Sequence, residues 1–357
     1  MSGSWPWIID GHLDLSLGYR RNRRELTWPL ERIRSSAGEP HPRGGTATVS
    51  LPEMRRGGVG MAFATVLALT RPPDHPEPLE PCEAKTPRQA HDTALGDLAY
   101  YRGLAAGGHA RLLGDRAGLE AHVADWQAGR PERTLGLVPL MEGAEPILAP
   151  GEAGWWYEQG VRIVSLAWFG TNRYAHGTGT PGGLTVLGRE LLREMRGTRL
   201  ILDVSHLAEQ ACHEALDGWD GPVIASHSNA AALVPGDRQL GDEAIRRLAE
   251  RDGVIGVALH GGMLSAGWRR GDTGAGVSLS TAADHIDYIC QLVGNARHVA
   301  VGSDLDGGFG REQCPRELDS IADLGRLFGL LAGRGYDQAA IAGVAHDNWL
   351  RVLRRAW

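Results

Sequence analysis

Histidines and carboxylates in this chain gather at the ends of short apolar runs. The first run closes in Asp10-Gly-His12-Leu-Asp14 and a later one in Glu142-Gly. Others close in Asp203-Val-Ser-His206, Ser226-His227-Ser-Asn229, His260-Gly-Gly and Gly302-Ser-Asp304-Leu-Asp306. On an extended strand, residues i and i+2 point the same way, so His12 and Asp14 can reach one cation. His206 and His227 end neighbouring runs and suit a second cation. Glu142 stands between these groups, and its two oxygens can bridge both ions. Imidazole with carboxylate suits zinc, and also manganese, cobalt or nickel. Two divalent ions a few ångström apart can share a hydroxide that is nucleophilic near neutral pH. Asp304 suits the general acid/base that moves the proton. The alternatives are that Asp304 is another ligand, or that Asp306 takes its role; Asp306 equally suits capping the following turn.

Each histidine alone reads more readily as a hydrogen-bonded structural residue. The joint placement is what argues for function, because six of eight run ends carry a histidine or carboxylate. The runs are Trp5–Ile9, Met61–Leu69, Leu135–Met141, Arg162–Ala167, Leu200–Val204, Val223–Ala225, Val254–Leu259 and Val299–Val301. Several are nearly continuous in Val, Ile, Leu and Ala, as strands buried on both faces are. Helical patterns lie between them: Thr185–Arg196, with Leu187, Leu191 and Met195 four apart, then Ala208–Leu216, Asp242–Arg251, Ala282–Val293 and Leu318–Leu331. Strand–helix alternation with eight strands predicts a (β/α)₈ TIM barrel, whose active site forms at the C-terminal strand ends. Long insertions follow strands one and two, at residues 15–60 and 70–134, the second opening with the Pro-rich Arg71–Pro81. Insertions of this length often form loops over a barrel mouth. No composition shift calls for a second domain, so residues 1–357 are expected to form one barrel domain.

The 357 residues suit such a barrel, and a 42% hydrophobic, 22% charged composition is that of a globular protein with a sizeable core. A net charge of −6 without a basic stripe excludes nucleic acid as a partner. Arg20, Arg21, Arg23 and Arg24 read as a solvated loop or helix face. The four cysteines, Cys82, Cys212, Cys290 and Cys314, form no Cys-x-x-Cys pair, which speaks against a disulfide framework or a thiolate zinc site. No signal peptide or membrane span is legible, so no membrane association is expected and a cytoplasmic location follows. His260 reads as a structural histidine in preference to a substrate contact, and Trp155 and Trp156 as packing residues on a helix.

The segments Asp10-Gly-His-Leu-Asp-Leu, Met141-Glu-Gly, Asp203-Val-Ser-His, Ser226-His-Ser-Asn-Ala, Arg238 in Pro-Gly-Asp-Arg, Gly302-Ser-Asp-Leu-Asp-Gly and Asn348-Trp-Leu-Arg-Val occur in one order from residue 8 to residue 353. In this set the chain resembles the membrane dipeptidase (renal dipeptidase) family of binuclear zinc peptidases, peptidase family M19. The resemblance implies that His12 and Asp14 hold one zinc, His206 and His227 the other, and that Glu142 bridges. It matches Asp304 to the family's acid/base carboxylate and Arg238 to the arginine that pairs with the substrate's C-terminal carboxylate. It further implies a dipeptide or similar small amide as substrate, with a D-residue admissible at the C-terminal position, and by analogy a homodimer.

One departure stands out. The family has a Thr-His pair after the fourth strand, whose histidine polarises the scissile carbonyl; here Trp168 occupies that position in Ser165-Leu-Ala-Trp168-Phe-Gly-Thr-Asn172. An indole N–H donates one hydrogen bond but carries no charge. Losing a strong oxyanion donor costs about 2.7–4 kcal/mol in other enzymes. Three readings stand open: Trp168 donates in place of the histidine, His176 swings in, or the substrate is not an ordinary dipeptide. A hydrolase of another amide or a lactam, and a metal-binding barrel without catalysis, are the rival functions.

Overall fold

A computed structural model describes residues 6–36, 38–71, 79–129, 133–269 and 276–357. Eight parallel strands form one sheet: β1 (Ile8–Leu13), β2 (Val59–Leu67), β3 (Leu135–Glu142), β4 (Ile163–Ser165), β5 (Ile201–Asp203), β6 (Val223–Ala225), β7 (Val254–Val257) and β8 (Val299–Val301). Each pairs with the next in chain order, with registers such as Ile9 on Met61, Met61 on Gly136 and Ile255 on Val299. No ladder joins β8 to β1. Side chains bridge the seam instead: Ser303 donates from its backbone N–H (2.8 Å) and its hydroxyl (2.5 Å) to Asp10, and the Asp304 N–H reaches His12 O at 3.2 Å. The expected barrel is therefore present and nearly closed.

Alternation along the strands explains the packing. Ile9, Phe63, Val138, Ile163, Ile201, Ile224, Val254 and Ala300, one from each strand, pack together with Trp349. Their neighbours Ile8, Ala62, Leu137, Val164, Leu202, Val223, Ile255 and Val299 belong to the second cluster, against the helices. Both faces are buried, so the strands read as continuous apolar runs. The last helix, Asn348–Ala356, brings Trp349 to the inner cluster, where its indole N–H donates to Val301 O at 2.9 Å.

Strand ends differ from the sequence reading by a few residues, and Trp5 lies outside the described residues, as do residues 72–78 of the Pro-rich segment. Two of the expected helices start where a side chain caps them: Thr185 accepts from the Gly188 N–H, and Ser278 starts Leu279–Val293 three residues before the expected Ala282. The expected helix Leu318–Leu331 is broken. Ser320 and Asp323 close a short 3₁₀ turn at Ile321–Asp323, and the α-helix covers only Arg326–Gly333. The insertion after β1 holds helices Leu15–Asn22, Leu30–Arg34 and Leu51–Arg56. The insertion after β2 holds helices Pro87–Ala106 and Arg116–Gln127, and a short strand, Ala110–Leu112, that pairs with the start of β3 outside the eight-stranded path. Trp156 is buried as expected; Trp155 is 42% exposed and stacks on His91, so it is not a core residue. All four cysteines are free and buried. No helix among the described residues is long and apolar enough to cross a membrane.

Candidate metal centre and active site

At the C-terminal mouth of the barrel the predicted ligands meet. Glu142, the last residue of β3, places Oε1 3.1 Å from His206 Nε2, 3.3 Å from His227 Nε2 and 3.5 Å from His12 Nε2. Asp14 Oδ1 lies 3.8 Å from His12 Nε2 and accepts from the Thr65 hydroxyl at 2.5 Å. His12 and Asp14 thus arrive together, but not as two residues of one extended strand. A register shift between Asp10 and Leu13 marks a bulge, the strand ends at Leu13, and Asp14 stands at the N-terminal boundary of the helix Leu15–Asn22 without capping it through its side chain.

The ligand histidines are held from behind. Ser226 Oγ donates to Asp203 Oδ2 at 2.6 Å and lies 2.8 Å from His227 Nδ1 and 3.2 Å from His12 Nδ1. Asp203 Oδ1 accepts the backbone N–H groups of Ser205 and Ser226, both at 2.9 Å. Thr178 Oγ1 stands 3.3 Å from His206 Nδ1. With Nδ1 occupied, each ring presents Nε2 to the cavity. His206 and Asp304 take left-handed backbone angles, φ 66° and 59°. For non-glycine residues this costs about 1–3 kcal/mol each and is kept where geometry matters.

Burial disfavours charge throughout the cluster. It raises Asp304 well above the ordinary carboxylate range, aided by the negative charges of Asp14 and Glu142, and raises Asp14 to about 6. Burial also lowers His206 to about 3 and depresses His227. Burial opposes the His12 imidazolium too, but Glu142, Asp304 and Asp14 outweigh it and lift His12 to about 9. Reciprocally, burial alone would raise Glu142, and the histidines bring it well below its usual value. The donors fit divalent metal: three Nε2 atoms and carboxylate oxygens converge, His12, Glu142 and His227 each offer an atom within 4.8 Å of the others, and buried His12 Nε2 has no hydrogen-bond partner among the described residues.

A cavity of about 450 Å³ opens over this cluster, with Asp14, Glu142, His206, His227 and Asp304 in its wall. Arg238 also lines it, held by hydrogen bonds to His227 O (2.9 Å) and Ser228 Oγ (3.3 Å). Trp168 lines it too, packed edge-on to Phe169 with ring centroids 4.8 Å apart and 5.9 Å from the His206 ring. His176 is not in the lining; its Nδ1 bonds Thr171 Oγ1 at 2.9 Å and its ring abuts Gly182. A swing into the site would break that bond; of the two residues it is Trp168 that lines the cavity. His260 lines the cavity and packs edge-on against Trp268 and Phe309.

Of the arginine stretch only Arg23 is exposed, so it is not a solvated face as a whole. Arg20 pairs with Asp97 at 2.5 Å, and Arg24 is buried between Glu39 (2.7 Å) and Asp306 (3.1 Å). Arg21 lines the cavity. Its helical spacing from Asp14 and Leu17 carries that signal, at i, i+3 and i+7. Asp306 does not replace Asp304: besides Arg24 it accepts Thr48 N–H (2.8 Å), Thr48 Oγ1 (2.6 Å) and Val49 N–H (3.1 Å), fastening the first insertion to the β8 loop.

Residues 6–356 match the family described as membrane dipeptidase, peptidase family M19. An uncharacterized protein in the pqqA 5′ region of Klebsiella pneumoniae is 36% identical over 245 residues, covering 66% of this chain and 87% of its own length. An uncharacterized dipeptidase of Schizosaccharomyces pombe is 32% identical over 202 residues, covering 56% of this chain and 47% of its own length, so the match spans about half of that relative. Two solved structures superpose with a TM-score of 0.80. One is dipeptidase AC, a metallopeptidase of family M19 (27% identity, 99% of both chains). The other is a Rhodobacter sphaeroides metallopeptidase liganded with a phosphinate mimic of the dipeptide L-Ala-D-Ala (26% identity, 99% of this chain and 100% of that one). With the barrel, the convergent donors and a family match along almost its entire length, the chain belongs to the membrane dipeptidase family M19 and is a metallohydrolase of the peptidase class.

Proposed function

We propose that the protein hydrolyses the amide bond of a dipeptide, or of a similar small amide with a free carboxylate, using two divalent ions that the donor set suits to zinc. The convergence of three histidine Nε2 atoms on Glu142 Oε1 carries this reading. His12 and Asp14 would hold one ion and His206 and His227 the other, with Glu142 placed to serve both. When bound, such a pair of ions lowers the pKa of water and polarises a carbonyl. Arg238 grips the substrate's α-carboxylate through its guanidinium, which matches a carboxylate's two oxygens. Asp304 follows β8, its backbone N–H 3.2 Å from His12 O; it takes a proton from the attacking water and returns one to the leaving amine. Trp168 supplies apolar wall and one N–H donor where the family's charged donor stood, so selectivity is narrower than that of a general dipeptidase.

Metal removal tests the reading. Chelator-stripped protein is expected to lose dipeptide hydrolysis, and zinc is expected to restore it at two equivalents per chain. Activity that survives complete stripping, or full activity with no bound metal, contradicts it.

A further inference from the structure

We propose that Arg21, with Leu17, Leu67 and Trp168, forms a subsite that selects an acidic side chain on the amino-terminal residue of the substrate. This inference rests on the dipeptidase reading above.

The helix that follows β1 starts at the candidate ligand Asp14 and turns Leu17 and Arg21 onto the same cavity wall. Arg21 is only 14% exposed, yet its ion pairing is incomplete: Nε lies 3.1 Å from Glu80 Oε2, and the other oxygen of Glu80 pairs with Arg43. Two guanidinium groups therefore share one carboxylate. Asp14 also feels the charge of Arg21, but its carboxylate faces the ligand cluster. Gly308 also lines the cavity; a Cβ there would stand 3.8 Å from Arg21 Nη1, and as a glycine it has no side chain to cover the guanidinium. A partly neutralised cation held in a cavity wall is costly by itself and favours an incoming anion.

That anion is not the α-carboxylate. Arg238 stands on a different wall, fixed to His227 and Ser228, and its charge acts on His206, His227 and Asp304. With Arg238 engaged by the C-terminal carboxylate, the wall beside Asp14 faces the other half of the dipeptide. Leu17, Leu67 and Cys82 line the same cavity as Arg21 and pack together, with Trp168 against them. An apolar stretch ending at a guanidinium fits a methylene stem ending in a carboxylate, which describes a glutamate side chain. A carboxylate there also offsets the repulsion that Arg21 exerts on the substrate's ammonium group.

The test uses zinc-loaded wild type, Arg21→Met and Arg21→Lys on Glu-Ala, Gln-Ala, Met-Ala and Lys-Ala, with both configurations of alanine. Wild type is expected to favour Glu-Ala over Gln-Ala in kcat/KM by at least about tenfold. Arg21→Met is expected to bring that ratio near one, with Arg21→Lys between. Equal rates on Glu-Ala and Gln-Ala in wild type overturn the subsite, as does an Arg21→Met variant that loses both equally, since that is what a purely structural arginine gives. Cleavage without a Glu preference overturns the subsite alone. No cleavage of any dipeptide by the zinc-loaded protein overturns the dipeptidase reading and the subsite with it.

Discussion

Ser226 Oγ touches the Nδ1 atoms of His12 and His227 while giving its own proton to Asp203. One hydroxyl thereby sets the ring orientation of a histidine in each half of the proposed metal pair. Because the hydroxyl proton is committed to Asp203, both Nδ1–H groups donate to the oxygen and both Nε2 atoms face Glu142. Ser226→Ala removes that restraint without touching a ligand. Its affinity for zinc, measured by competition with a chromophoric chelator, is expected to fall about 10–100-fold. An unchanged affinity contradicts the assignment. The residue scale also explains what the sequence concealed at Arg21 and Arg24. Both stand in one basic stretch, but their partners Glu80, Glu39 and Asp306 lie on loops whose approach depends on the closed barrel. Local pattern alone describes them as a solvated face.

The strands explain how the site is supported from below. The Ser226 carbonyl is crowded by glycines of three neighbouring segments: a Cβ would stand 2.8 Å from it at Gly11, 2.0 Å at Gly256 and 1.9 Å at Gly302. The backbone cannot yield there without moving Ser226 and the two histidines it orients. Gly256→Ala is therefore expected to lower stability by about 1–3 kcal/mol, as overpacking of a core does, and to weaken zinc binding as well. Denaturant unfolding would show it; a wild-type midpoint contradicts the crowding. A helix on the outer layer carries a separate acid sensitivity. His122, in Arg116–Gln127, is buried, has Nε2 2.9 Å from Gly60 O, and is lowered by burial to about 4. A histidine kept neutral in the folded state contributes stability that is complete above its unfolded pKa of 6.5 and is lost as pH falls from there through about 4. Metal-free wild type should lose more stability over that window than metal-free His122→Gln, measured by urea unfolding; parallel curves contradict this. At this scale the sequence was most legible. Continuous apolar runs located all eight strands because both faces are buried, and the polar residues at their ends pointed to the histidines and carboxylates that the structure brings together. What stayed hidden were features set by tertiary contacts or single caps: the bulge that turns Asp14 off the strand, the break at Ser320–Asp323, and the strand Ala110–Leu112 added beside β3.

Across the whole molecule, one parallel sheet carries every proposed ligand, and a single family match runs from residue 6 to residue 356. The two insertions do more than cover the mouth. The first supplies Leu17 and Arg21 to the cavity and is fastened to the β8 loop through Asp306; the second supplies Cys82. The residues proposed as metal ligands, acid/base carboxylate and carboxylate anchor thus come from the ends of five strands, β1, β3, β5, β6 and β8, and meet only when the barrel forms. The central claim is that this assembly cleaves dipeptides through the metal cluster and Asp304. The most direct measurement is hydrolysis of a dipeptide panel, with L,L and L,D members, by protein verified to carry two zinc ions, beside an Asp304→Asn variant carrying the same metal. Wild type should cleave members of the panel, and the variant should lose about 10²–10⁴-fold in kcat with its zinc retained. Wild-type turnover in the variant, or no cleavage of any dipeptide by the zinc-loaded wild type, would contradict the account.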